Sequence, residues 1–86
     1  MEHIIVNFQP FVVEQHIMVY KNGACIEQQY VDFEQVLEKI CFLSNKYNIS
    51  NIDLCGNTDF LKKFKNDLQL NTNFNNSSLN ITIIDK

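Results

Sequence analysis

The side chains able to do chemistry are few, and their spacing is uninformative for catalysis. Asp53 lies in the strand-like stretch Ile49 to Cys55. A carboxylate there can help hold a divalent metal for phosphodiester hydrolysis, but the chemistry needs further carboxylates. Asp59, at the start of the next helical stretch, reads instead as a partner of the helix dipole. Cys25, Cys41 and Cys55 are widely spaced, form no C-x-x-C pair, and stand at no metal-ligand spacing from His3 or His16. They are expected to be reduced and mostly buried thiols. No local signature joins Cys55 to His16 as a nucleophile and its base. Gly56-Asn57-Thr58, between strand and helix, could offer free N–H groups to an anion or small ligand. The competing reading is a tight turn with Asn57 or Thr58 as helix cap, beside an Asp59 that repels phosphate. Lys62, Lys63 and Lys65 are flanked by Asp59 and Asp67 and read as a solvated helix face. No catalytic residue, metal ligand set or cofactor is therefore expected.

The composition narrows the partners. The chain has 86 residues and a net charge of −3, from seven lysines and no arginine against ten acids. Arginine is the usual bidentate reader of phosphate and guanine, so its absence argues against duplex nucleic acid and anionic membrane. The longest apolar runs, such as Ile40 to Leu43, fall far short of the ~18 residues that span a bilayer. No targeting segment is expected, which makes the protein cytoplasmic. The length fits one domain over residues 1–86.

The elements that position these groups follow from hydrophobic period. His3 to Phe8 is nearly all apolar and reads as a central strand buried on both faces. Pro10 ends it. Glu14 to Lys21 and Ala24 to Val31 pair as a hairpin about Asn22-Gly23, both of which accept positive φ. Glu27, Gln28 and Gln29 suit a wet edge. Asp32 with Gln35 suggests a capping box opening a helix to about Asn48, with Phe33, Val36, Leu37, Ile40, Leu43, Ser44 and Tyr47 on its inner face. Ile49 to Cys55 is a fourth strand. Phe60, Leu61, Phe64 and Leu68 mark a second helix, Asn71 to Ser78 a polar loop containing Phe74, and Leu79 to Asp85 the last strand. The class is α/β, in the order βββαβαβ. Right-handed crossovers predict one mixed sheet of order 3-2-1-4-5, with both helices on one face.

That arrangement leaves the other face without a helix. Alternation places Ile5, Asn7, Asp53, Cys55, Thr82 and Ile84 on it. The second strand adds either His16, Met18 and Tyr20 or Ile17 and Val19, and the more polar set suits the outside. The result, with Asn7, His16, Met18, Tyr20, Asp53 and Ile84 as candidate contacts, has the mixed character of a protein interface. Phe42 joins the candidates for another reason: at about 100° per residue it lies opposite Phe33, among Glu38, Lys39, Asn45 and Lys46. Phe11 and Phe74 are weaker loop candidates.

The strand order resembles the core of the ribonuclease H-like fold over nearly the whole chain. Active members gather carboxylates around two metal ions, with an essential aspartate on the first strand. Here that strand carries Asn7 and no acid, and Asp53 alone stands where a second carboxylate could lie. At finer scale Ile5-Val6-Asn7-Phe8-x-Pro10-Phe11, Val19-Tyr20-Lys21-Asn22-Gly23 and Ile49-x-x-Ile52-Asp53-Leu54-x-Gly56-Asn57 resemble short phage and prophage proteins. Twelve Asn, ten Ile and seven Lys without Arg suggest A/T-rich codons, which fits a low-GC bacterium or its phages. The resemblance implies a phage context and no activity. With the open sheet face it leads to the expectation of a small non-enzymatic protein that binds a host or viral protein, as a homodimer through its open sheet or a strand edge, with inhibition of a host defence enzyme within that class. The alternatives are a nucleotide-type small-ligand binder and a degenerate nuclease.

Overall fold

The computed structural model describes residues 2–71, 74 and 79–85. Five strands form one sheet: β1 (His3–Asn7), β2 (Glu14–Lys21), β3 (Ala24–Asp32), β4 (Asn51–Gly56) and β5 (Asn80–Asp85), in the spatial order β3-β2-β1-β4-β5. β2 runs antiparallel to both neighbours, and β1, β4 and β5 are mutually parallel. Helix α1 (Val36–Tyr47) connects β3 to β4, and α2 (Thr58–Leu70) connects β4 to β5. The expected order and class are those observed.

The core explains which face the helices cover. Ile4 and Val6 of β1, Ile17 and Val19 of β2, and Ile52 and Leu54 of β4 are all 0% exposed. They join Val36, Ile40 and Leu43 of α1 and Leu61, Phe64 and Leu68 of α2 in one cluster. Both helices thus pack on one side of the sheet. Burial of each such aliphatic side chain stabilises by about 1.5–3 kcal/mol before entropy is charged against it. β1 is central but alternates between fully buried and half-buried residues, so only its Ile4 and Val6 side is core. The second-strand alternative resolves in favour of Ile17 and Val19 inside, with His16, Met18 and Tyr20 on the helix-free face.

Local chemistry sets the turns. Asn22 (φ 53°) and Gly23 (φ 81°) both take positive φ, as the hairpin reading requires. α1 ends at Asn48 in the left-handed conformation, and Ser44 Oγ donates to the Ile49 carbonyl at 2.6 Å, tying the helix end to the next segment. Ile49 is accordingly buried before the strand, which starts at Asn51 and not at Ile49.

The start of α1 differs from expectation. Asp32 is the last residue of β3, and Phe33–Gln35 form a 3₁₀ turn ahead of the helix. Neither Asp32 nor Gln35 makes a side-chain cap, so the capping box is absent. Phe33 is drawn away from the α1 stripe by aromatic partners, Phe8 at 6.3 Å and Phe60 at 5.5 Å between ring centroids. It is 43% exposed. Tyr47 only partly reaches the core; its hydroxyl donates to the Glu27 carboxylate, which Lys46 also approaches at 3.7 Å. A hydrogen bond with Tyr47 and then the Glu27 charge hold Lys46 above the usual ammonium range. This network fastens edge strand β3 to α1. Much of the loop expected over Asn71–Ser78 lies outside the described residues. Phe74, expected as a loop contact, instead packs partly buried against the core.

Candidate functional sites

Two surfaces stand out, and the first is the helix-free sheet face. Register places Asn7 beside His16 and Cys55, and Ile5 beside Met18 and Asp53. Thr82 and Ile84 extend the face on β5, and Gln28 and Tyr30 extend it on β3. Six of the seven candidate contacts therefore share one surface: Asn7, His16, Met18, Tyr20, Asp53 and Ile84. Ile84 is exposed and the other five are half-buried by their neighbours. Phe42 does not join them. It stands exposed on the outer side of α1, with the Lys39 and Lys46 ammonium groups over its ring at 5.0 and 5.9 Å.

Polar groups on this face are paired within it. His16 Nε2 lies 3.0 Å from Gln28 Oε1, and the His16 ring stacks on Tyr30 at 4.6 Å. The Tyr20 hydroxyl points to Met18 Sδ at 3.9 Å. Asp53 Oδ2 is 3.2 Å from His3 Nδ1, at ion-pair range but without the alignment of a hydrogen bond. The roles of His3, Gln28 and Tyr30 were not foreseen from sequence. The register of the Asn22-Gly23 hairpin would have placed Gln28 and Tyr30, but β3 also carries an irregularity beside Val19 and Tyr20 that shifts its alternation. Among the described residues no group of three His, Cys, Asp or Glu side chains could hold a metal.

The second surface is a cleft of about 740 Å³ beyond the carboxyl ends of β1 and β4. Phe8, Pro10, Val12, Phe33 and Phe60 supply its apolar lining; Gln9, Gln15, Gly56 and Asn57 supply polar atoms. Phe8 is the hub, edge-on to Phe60 at 5.4 Å and to Phe64 at 5.0 Å. Gln15 holds the rim in place. Buried at 3% exposure, its Oε1 accepts from the Gln9 N–H at 2.6 Å and its Nε2 donates to the Val12 carbonyl at 3.2 Å. That fixed loop turns Phe11 fully into solvent at φ 65°, with Val13 also exposed. A polar residue in strand alternation with Ile17 and Val19 was the sequence signal for this anchor.

The Gly56-Asn57-Thr58 turn forms one wall of the cleft. Asn57 is the cap of α2, and its Oδ1 accepts from the Phe60 N–H at 3.2 Å. One donor that an anion would use is thus engaged. Gly56 takes φ 153°, and an added Cβ would lie 3.2 Å from Phe8 Cβ and 3.3 Å from the Phe8 carbonyl oxygen, so backbone conformation and close strand packing together explain the glycine. The three cysteines are free and mostly buried, as expected: Cys41 and Cys55 are buried, and Cys25 on the edge strand is exposed. No helix among the described residues is long and apolar enough to cross a membrane. No protein-family model, curated protein or solved structure matches the chain.

Proposed function

We propose that the protein is a small, non-enzymatic interaction module of phage or prophage type that pairs with a second copy of itself through the helix-free sheet face. The observation that carries the reading is the sidedness of the sheet: both helices join one core cluster, and Ile5, Met18, Tyr20 and Ile84 lie on the other side. Five strands about 4.8 Å apart span about 19 Å, and six residues run about 20 Å. The flat area is therefore about 400 Å² per copy, and about 800 Å² for the pair. That is at the low end for specific association, so the dimer forms weakly and reversibly. Carboxylates on the face include Asp53, 3.2 Å from His3 Nδ1, and, at one end of β2 and β3, Glu14 opposite Asp32. A nuclease role has less support, since β1 carries no carboxylate: Ile5 stands beside Asp53, and Asn7 beside Cys55. The phage assignment is supported by the quoted sequence resemblance alone. The paired module would turn its remaining surfaces to a host or viral protein, and inhibition of a host defence system fits that use.

Sedimentation velocity over a concentration series tests the pairing. Wild-type protein should shift from monomer toward dimer as concentration rises. Ile84→Asp, at an exposed position, should remain monomeric with an unchanged circular dichroism spectrum. Wild-type protein that stays monomeric throughout would overturn the pairing. The same preparation, melted with and without added nucleotide, tests the ligand alternative, because a bound nucleotide raises the melting temperature.

A further inference from the structure

The cleft at the carboxyl end of the sheet has a chemistry that selects its occupant. Its walls are aromatic and aliphatic: of the ten large apolar side chains exposed among the described residues, Val12, Phe33 and Phe60 line it, and Phe11 and Val13 adjoin Val12 in the same loop. Exposed apolar surface of this extent on a small protein marks a contact site. Two exposed carboxylates adjoin its lining residues along the chain: Glu34 follows Phe33 and Asp59 precedes Phe60. Lysines are elsewhere among the described residues: Lys21 at the far end of β2, and the others beyond the first turns of α1 and α2.

Magnitudes decide the sign of the field. Helix starts contribute about +0.5 charge each. Two of them offset only about half the charge of Glu34 and Asp59, which leaves an excess of negative charge. An anionic ligand is repelled, and a second copy presenting the same end would meet like charge across the interface. From this we infer that the cleft docks a segment of a partner protein in which a bulky apolar side chain is flanked by lysines or arginines. The apolar side chain enters among Phe8, Phe33 and Phe60, and the cations face Glu34 and Asp59. The surface is separate from the sheet face, so its test and the dimer test are read independently.

Fluorescence anisotropy with two labelled synthetic peptides tests the inference. One alternates leucine with lysine, and the other keeps the leucines and replaces every lysine by glutamate. The leucine–lysine peptide should bind, with affinity that falls as salt is added, and the leucine–glutamate peptide should not. Glu34→Lys with Asp59→Lys should weaken binding by at least about tenfold, the effect of roughly 1.4 kcal/mol. Phe60→Ser should do the same by removing the apolar wall. Because Phe60 touches Phe8, Phe11→Ser is the second apolar variant; its side chain is wholly in solvent and cannot disturb the core. Equal binding of both peptides, binding that ignores the charge reversal, or no binding of either would overturn the proposal. So would loss of self-association in Phe11→Ser, which would assign the cleft to a second copy.

Discussion

The two faces of the sheet are built from the same strands, one residue out of step, and they differ in almost every property. On the covered face the strand residues Ile4, Val6, Ile17, Val19, Ile52 and Leu54 are aliphatic and wholly buried. On the bare face their immediate neighbours Ile5, Asn7, His16, Met18, Tyr20 and Asp53 mix apolar and polar groups, half-buried and largely paired with each other. A helix can cover only a face that asks for no hydrogen bonds, because each buried polar atom without a partner costs about 1–3 kcal/mol. The bare face pairs several of its polar atoms locally, His3 Nδ1 excepted, and so tolerates either water or a partner. The contrast teaches that the uncovered side is not an unfinished core.

The largest expected effect separates the faces directly. Ile52→Ala removes a fully buried side chain beneath both helices and should cost about 2–5 kcal/mol. Ile5→Ala, half-buried on the other face, should cost under about 1.5 kcal/mol in dilute monomer. Urea denaturation of the two variants checks this. Equal costs would mean that the bare face is a second core.

How far the sequence revealed this division depended on the range of the contacts. Strand order, the Asn22-Gly23 hairpin and the inward set of β4 were legible because a period of two and a turn dipeptide are local signals. The candidate contacts on the bare face followed from the same alternation. Phe33 was misplaced because its neighbours in space, Phe8 and Phe60, come from two other elements, and their attraction is stronger than the helical stripe. The cleft was missed for the same reason: its walls come from the β1–β2 loop, the 3₁₀ turn and the start of α2. Gln15 could have been found by following the β2 alternation two residues back from Ile17. His3 beside Asp53 depends on the parallel register of β1 with β4, which no local pattern prints.

A smaller effect tests the junction between the covered face and the cleft. Gly56 ends β4 where the strand passes Phe8, and a methyl group there meets both the Phe8 side chain and its carbonyl oxygen. Gly56→Ala should cost about 1–3 kcal/mol, the range for overpacking a close contact. It should also move Phe8, and with it Phe33 and Phe60, so that the cleft loses its shape before the bare face changes. Amide exchange read by mass spectrometry would show faster exchange around Phe8 and Phe60 and little change across Met18 and Tyr20. Uniform acceleration across both regions would show that they open as one unit.

The smallest effect is chemical rather than energetic, and it uses the three thiols as reporters on edge, helix and sheet. Cys25 is exposed on β3 at the open edge. Cys41 is buried on α1, where desolvation raises its thiol above the ordinary value; the nearby Glu38 charge adds to this, and a hydrogen bond from Asn45 opposes it. A raised pKa means that the folded state keeps a proton the unfolded state has already lost. The stability linked to Cys41 is then complete below the ordinary thiol value and fades as pH rises through the higher folded value. Because the thiolate is the nucleophile, Cys25 should alkylate first with iodoacetamide at mildly alkaline pH and Cys41 far more slowly. Cys55 is buried on the bare face beside Asn7 and Ile84, and should also lag. Peptide mapping after timed quenching orders the three. Dilution should speed Cys55 and leave Cys41 unchanged if a second copy covers the bare face, because only the former lies on that surface. Rates of Cys55 that do not vary with concentration would mean that the strands alone protect it, and would remove the partner from the comparison of the two faces.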